Sequence, residues 1–257
     1  MIVFKWLRYL WAVYFLTLFC LFFLLFSPFF YILLSKRKWY PMAHRLRAVW
    51  GHIIMFLSGL WPSRTGTEHL EKGKTYIFAA NHFSYLDILS MNVQVPAYFR
   101  FLAKSELGKI PLFGIFFRTI DIPVDRNSIR ASHQAFVLGA QALQEGDSLG
   151  IFPEGGIRPS APKMGSMKSG AFKLAIEQQV PIVPIAILDN WKRLPVGGYK
   201  DGGTPGRMRI VIHEPVPTEG MTLDDLSALA SAVSSTIQNT FDKYNFADHE
   251  DHRRNSL

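Results

Sequence analysis

The chain has 257 residues, 49% of them hydrophobic, with 28 Lys and Arg against 20 Asp and Glu for a net charge of +8. That length holds one good-sized catalytic domain with an appendage and argues against two full enzyme domains. The charge favours polyanionic partners (nucleic acid, anionic lipid, phosphorylated substrates or carriers), and a single cysteine, Cys20, excludes a disulfide framework and a cysteine-rich metal site within one chain.

From Tyr9 to Ser35 no side chain is charged, a run long enough to enter or cross a bilayer core of about 30 Å. A cleavable signal peptide would have an apolar part of roughly 7–15 residues followed by a small-residue cleavage site. This run is longer and full of Phe, so it reads as an anchor. Lys5 and Arg8 precede it and Lys36, Arg37 and Lys38 follow it, which draws both ends toward the cytoplasm. A helical hairpin broken at Pro28 and dipping into the cytoplasmic leaflet satisfies this; a single tilted span is the alternative. Next, Leu46, Val49, Trp50, Ile53, Leu57, Leu60 and Trp61 recur at helical spacing with His44, Arg45, Arg47 and His52 on other faces. That pattern suits either a core helix or an interfacial helix on anionic lipid. The polar, turn-rich stretch "WPSRTGTEHLEKGK" (61–74) marks the boundary. The chain thus divides into a membrane module over 1–64, a catalytic domain over 65–246 and a polar, frayed tail over 247–257.

Beyond the boundary, strands are expected at 75–80, 98–103, 119–124, 148–152, 182–188 and 208–213. Helices are expected near 85–93, 105–117, 128–145, 168–179 and 223–243, the last capped by Thr222 with Leu223, Leu226, Ala230, Val233, Ile237 and Phe241 facing inward. This alternation predicts an α/β domain with a mostly parallel, covered sheet, whose sites gather beyond the carboxyl ends of the strands.

His82 and Asp87 follow the first of these strands in "IFAANHFSYLDILS" (77–90). Five residues of ideal helix turn a side chain by about 140°, so the pair cannot meet within one regular helix. With His82 in the strand-to-helix turn and Asp87 in the first helical turns, the carboxylate can hold one ring nitrogen and leave the other as a base. A histidine beside a capping aspartate that merely satisfies backbone groups is the alternative. No protein nucleophile accompanies the pair: "GDSLG" (146–150) matches the nucleophile elbow by letter, but Ser148 opens a strand after a helix, the reverse of the order the elbow needs. If His82 is a base, the hydroxyl it activates therefore belongs to a substrate. "IFPEGGIRPS" (151–160) ends another strand with glycines that allow close backbone approach and an arginine suited to phosphate, a tight strand-end turn that merely tolerates glycine being the alternative. Arg126 in "PVDR" and Lys104 also follow strand ends. His82, Lys104, Arg126, Glu154 and Arg158 thus converge on one rim, as a site for a phosphate bearing an alcohol would require.

These segments resemble the glycerolipid acyltransferases, and among them the bacterial 1-acyl-glycerol-3-phosphate acyltransferases. "NHFSYLD" looks like the N-H-x-x-x-x-D signature and "FPEGG" like the F-P-E-G block. "IDIPVDR" is similar to the intervening arginine block, "AKSEL" to the lysine-bearing segment and "VPIVPIAI" to the last block, in order over roughly residues 70 to 190. The resemblance implies acyl transfer from a thioester, on coenzyme A or acyl carrier protein, to the 2-hydroxyl of lysophosphatidic acid. It implies His82 as the base and Asp87 as its orienting partner. Arg126, Glu154 and Gly155 would hold the glycerol phosphate, and Lys104 would add positive charge. No metal or other cofactor is implied, because the thioester is already activated, and the partners implied are the lipid bilayer and the two substrates, with no nucleic acid. The catalytic domain would sit on the cytoplasmic face of a bacterial inner membrane. One departure stands out: the family pattern F-P-E-G-T-R-S places arginine two positions after the first glycine, whereas here it comes one position later, at Arg158. A different acceptor (another lyso-phospholipid, a lyso-ornithine lipid or glycerol phosphate) is the rival reading, and a non-catalytic lipid-binding protein a more distant one.

Overall fold

The computed structural model of the chain describes residues 2–125 and 128–254. Its first helix, α1 (Ile2–Leu33), runs unbroken through Pro28, so no hairpin turn forms there. Proline cannot donate to the carbonyl four residues earlier, and here the Ser27 hydroxyl donates to that carbonyl, Leu24, at 2.8 Å. The chain reverses instead at residues 34–39, and α2 (Tyr40–Leu57) returns along α1. Trp11 Nε1 donates to the Ser58 carbonyl at 2.9 Å and the Tyr14 hydroxyl to that of Leu57 at 3.2 Å. One stripe of α1, including Ala12, Phe15, Phe23 and Phe30, is buried with Trp50, Ile54 and Phe116. The rest is open: only 11% of its apolar window is buried, at a mean hydropathy of 2.3.

The sheet comprises β1 (Leu60–Thr65), β2 (Ile77–Ala80), β3 (Phe99–Lys104), β4 (Ile122–Val124), β5 (Ser148–Ile151), β6 (Ile182–Ile187) and β7 (Gly206–Ile212), in the order β1-β7-β6-β2-β5-β3-β4. β6, β2, β5, β3 and β4 run parallel; β7 is antiparallel to β6, and β1 is parallel to β7. This is the mostly parallel α/β architecture expected. β1 starts at Leu60, which with Trp61 was expected on the preceding helix, and runs into the stretch read as a polar boundary: five of its six residues are exposed, and its edge position tolerates Pro62. Pro184 is accommodated inside β6 because the ladder with β7 covers only Ile185–Ile187.

Strand alternation builds two cores. Ile77 and Ala79 of β2 pack with α5 (Ile129–Gln144), α6 (Gly170–Gln178) and α8 (Leu226–Arg254). Tyr76, Phe78 and Ala80 face the other side with Phe99, Val183 and Ile185, beneath α3 (Leu86–Gln94).

Three expectations change. Residues 105–117 form a 3-10 turn (Ser105–Lys109), a left-handed Leu112 (φ 59) after Pro111, and the short α4 (Ile115–Arg118) rather than one helix. Leu223 is 51% exposed, and Leu229 takes the inward place on α8. The Thr222 cap is present as a capping box with Asp225, but the backbone stays helical to Arg254 where a frayed tail was expected.

Candidate active site

β2 ends at Ala80, and the turn that follows is held on both sides. The Asn81 side chain imitates a strand backbone, with Nδ2 donating to the Ile187 carbonyl at 3.1 Å and Oδ1 accepting from the Ile187 N–H at 2.7 Å. It thereby extends the β2–β6 pairing into the turn. His82 comes next, and Asp87 is the second residue of α3.

His82 Nδ1 donates to Asp87 Oδ2 at 3.0 Å. The same oxygen accepts the Phe83 and Ser84 N–H groups at 2.7 and 2.8 Å, and Oδ1 accepts Asn190 Nδ2 at 2.9 Å. Asp87 is fully buried, so four donors fix its position and, through it, the imidazole ring. The ring stacks on Phe152, with centroids 4.0 Å apart and planes at 17°. With Nδ1 carrying the proton and one face covered, Nε2 keeps its lone pair, and among the described residues nothing hydrogen-bonds to it. A histidine held this way has the geometry that general-base chemistry requires.

Asn190 opens the four-residue helix α7 (Asn190–Arg193) just past β6. It is 1% exposed and also donates to Ser90 Oγ at 2.9 Å. Its neighbour Asp189 is locked by Arg209, whose Nε and Nη2 donate at 2.7 and 2.8 Å in a bidentate pair.

The turn after β5 meets His82 from the other side. Glu154 is 1% exposed; its Oε1 accepts the His82 backbone N–H and its Oε2 the Gly165 N–H, each at 3.0 Å. Gly155 has φ +81, a conformation that favours glycine, and a Cβ there would lie 2.6 Å from Lys168 Cε. Lys168, exposed, is therefore laid across this turn, and its N–H donates to the Pro153 carbonyl at 2.9 Å. Arg158, also exposed, passes over Gly165, where a Cβ would meet its Cδ at 3.2 Å. The result is a buried imidazole on a polar turn beside two exposed cations, Lys168 and Arg158. Such a site can take a proton from a hydroxyl on an anionic molecule. Among the described residues no group of three or more His, Cys, Asp or Glu is placed to hold a metal ion.

A family model described as Acyltransferase matches residues 63–188. An uncharacterized acyltransferase of Schizosaccharomyces pombe is 32% identical over 178 residues, covering 67% of this chain and 62% of that one. The 1-acyl-sn-glycerol-3-phosphate acyltransferase alpha of Homo sapiens is 32% identical over 203 residues, covering 73% and 66%. The crystal structure of the 1-acyl-sn-glycerophosphate (LPA) acyltransferase PlsC from Thermotoga maritima superposes with a TM-score of 0.77 at 25% identity, covering 95% of this chain and 97% of that one. The chain belongs to the 1-acyl-sn-glycerol-3-phosphate acyltransferase family. Its matched segments span slightly under two thirds of the curated relatives' own length.

In this acyltransferase-family chain, the residues singled out from sequence fall along one edge of the sheet, past β2, β5 and β3, but their surroundings differ. His82, Asp87, Glu154, Gly155 and Arg158 share one connected cluster through Gly165. Lys104 ends β3, exposed, and pairs with Glu106 at 3.4 Å. Arg126 lies outside the described residues. Sequence reasoning did not single out Asn81, Phe152, Lys168 or Asn190. Asn190 was open to the same logic as the others, since it lies just past the end of β6, after Leu188 and Asp189; Lys168 was not, because the loop after Arg158 carries it back to the turn.

Proposed function

We propose that this chain is an acyltransferase that moves a fatty acyl group from a thioester of coenzyme A or acyl carrier protein to the 2-hydroxyl of lysophosphatidic acid, giving phosphatidic acid. The observation that carries this reading is His82, held at Nδ1 by a fully buried Asp87 with Nε2 left to act, in a chain of this family. His82 Nε2 takes the acceptor's hydroxyl proton as the oxygen attacks the thioester carbonyl. The tetrahedral intermediate expels the thiolate, and the imidazolium returns the proton to sulfur. Asp87 faces the charge that forms on the ring during this cycle, and Glu154 fixes the backbone from which the ring projects. Lys168, Arg158 and Lys104 supply positive charge for the acceptor phosphate and the anionic donor carrier.

The open apolar face of α1 supports membrane association. Charged residues at both ends of the helix favour placing the catalytic domain at the cytoplasmic face, for a bacterial chain the inner membrane. The shifted Arg158 favours testing other acceptors beside lysophosphatidic acid: another lyso-phospholipid, a lyso-ornithine lipid and glycerol phosphate. The test is product formation by purified protein in mixed micelles, with labelled palmitoyl and oleoyl thioesters on both carriers. His82→Ala is expected to lower the rate by about 100- to 10,000-fold while folding and micelle association persist. Substantial activity in that variant would refute the assigned base, and no product with any acceptor would refute the activity.

A further inference from the structure

We propose that the turn Lys109–Leu112 is a second membrane-contacting element, which inserts its apolar tip among anionic lipid headgroups beside α1. Four observations converge on it. Ile110 and Leu112 are 42% and 46% exposed, and Pro111 between them is exposed too, so the tip is an apolar triplet without a core.

Leu112 is one of two non-glycine residues with positive φ among the described residues, in a three-residue turn closed by the Phe113 N–H on the Pro111 carbonyl at 2.6 Å. A side chain strains such backbone and glycine would not. In water a strained, exposed leucine gains nothing, whereas in a bilayer it gains an apolar medium.

The turn is also continuous with α1. The Tyr31 hydroxyl donates to the Leu112 carbonyl at 3.4 Å, and Phe113 packs on Phe19 and Phe23 with centroids 5.9 and 5.3 Å away. The neighbouring part of α1 presents Leu25, Phe29 and Ile32, each at least 58% exposed. Finally, Lys109 and Arg118, both exposed, flank the apolar tip. Cations around an apolar tip suit the boundary between anionic headgroups and acyl chains. A bilayer, rather than a protein groove, is the occupant this continuity selects, because the same apolar surface extends along a helix long enough to enter one.

The inference rests on the reading of α1 as a membrane helix, so the experiment separates the two. In a Cys20→Ser background, an environment-sensitive fluorophore is attached at Leu112→Cys, at Leu25→Cys on α1, or at Asp224→Cys on the opposite side of the sheet. The full chain is reconstituted in phosphatidylcholine vesicles with and without phosphatidylglycerol, and brominated acyl chains serve as quencher. The expected result is a blue shift and loss of most emission at 25 and 112, and none at 224. Omitting the anionic lipid should weaken quenching at 112 and leave that at 25 unchanged. Ile110→Cys, whose backbone is ordinary, repeats the measurement if the 112 variant does not fold. Quenching at 25 with water-like emission at both 110 and 112 would overturn the turn's role and leave α1 in the membrane. No quenching at 25 would overturn both.

Discussion

Glu154→Gln separates two roles for this carboxylate. The family resemblance implies that Glu154 holds the glycerol phosphate, whereas in the structure both its oxygens are committed to backbone N–H groups, those of His82 and Gly165, at 3.0 Å each. Glutamine keeps the volume but offers one oxygen and one NH2 group. Whichever way the amide turns, one buried N–H loses its acceptor and faces another donor, a penalty of about 1–3 kcal/mol. Expressed at the His82 N–H, that penalty displaces the ring from its working position and lowers kcat by about 5- to 160-fold, at about 1.4 kcal/mol per decade. The assay is steady-state transfer at varied acceptor concentration, with thermal unfolding in the same detergent as a control. A brace predicts a fall in kcat with acceptor KM within about twofold, since ground-state binding is untouched. A rise in KM with kcat retained would instead make Glu154 a contact of the acceptor and refute the bracing argument.

Three further outcomes follow from other buried polar groups. Asn190→Ala removes the donor to Asp87 Oδ1 at 2.9 Å; a hydrogen bond to a charged acceptor is worth about 1.5–3 kcal/mol, so single-turnover acyl transfer should slow by about 10- to 160-fold, and unchanged rates would remove Asn190 from the site. Asp121→Ala strands Arg47, whose Nη1 donates to Asp121 at 2.7 Å with both side chains buried. It should cost about 3–5 kcal/mol in denaturant unfolding, much of it recovered when Arg47→Met is added. His44 is pushed down to about 3, first by burial and then by the adjacent Arg47. The unfolded chain therefore binds a proton that the folded one refuses. Stability is full above the ordinary histidine pKa and falls as pH drops from there toward 3, by about 1.4 kcal/mol per pH unit. His44→Gln should flatten that slope between pH 7 and 5, and an unaltered slope would show that His44 does not set it.

Legibility followed sequence distance. β2, β5 and β6 are short apolar runs between turn residues and could be read locally. β1 could not, because its hydrogen-bonding partner, β7, lies at the far end of the chain and five of its six residues are exposed. The segment 105–117 carries apolar residues at helical spacing, but Pro111 lacks a donor and Leu112 turns left-handed, and periodicity registers neither. The same distinction runs through the site. The pairing of His82 and Asp87 depends only on one strand-to-helix turn, so local geometry was enough to anticipate it. The brace from Glu154 and the clamp from Asn190 need β5 and β6 to flank β2, a fact of topology. The spacing of charged residues could propose a rim of cations, but not that the carboxylate among them is consumed by backbone.

The same topology couples α1 and α2 to the His82–Asp87 turn. α2 lies so close to α3, the helix bearing Asp87, that a Cβ on Gly51 would fall 2.5 Å from Val93 Cγ2 and 2.9 Å from Leu89 Cδ1. On another side, the Gly203 N–H donates to the Arg8 carbonyl of α1 at 2.9 Å and Thr204 to the Arg193 carbonyl at 2.8 Å. The Ser84 hydroxyl, inside the His82–Asp87 turn, donates to the Leu194 carbonyl at 2.7 Å. A third link runs from α2 through Arg47 to Asp121, whose Oδ1 accepts the Phe101 N–H in β3. The turn that carries His82 is thus gripped by elements that themselves rest on α1 and α2. An anchor on a flexible tether would raise the local concentration of lipid substrates and leave their approach random. Packing of α1 into the core also fixes the orientation of His82 relative to the apolar face of that helix, and holding reacting groups in the right geometry lowers the barrier to a reaction between two bound molecules.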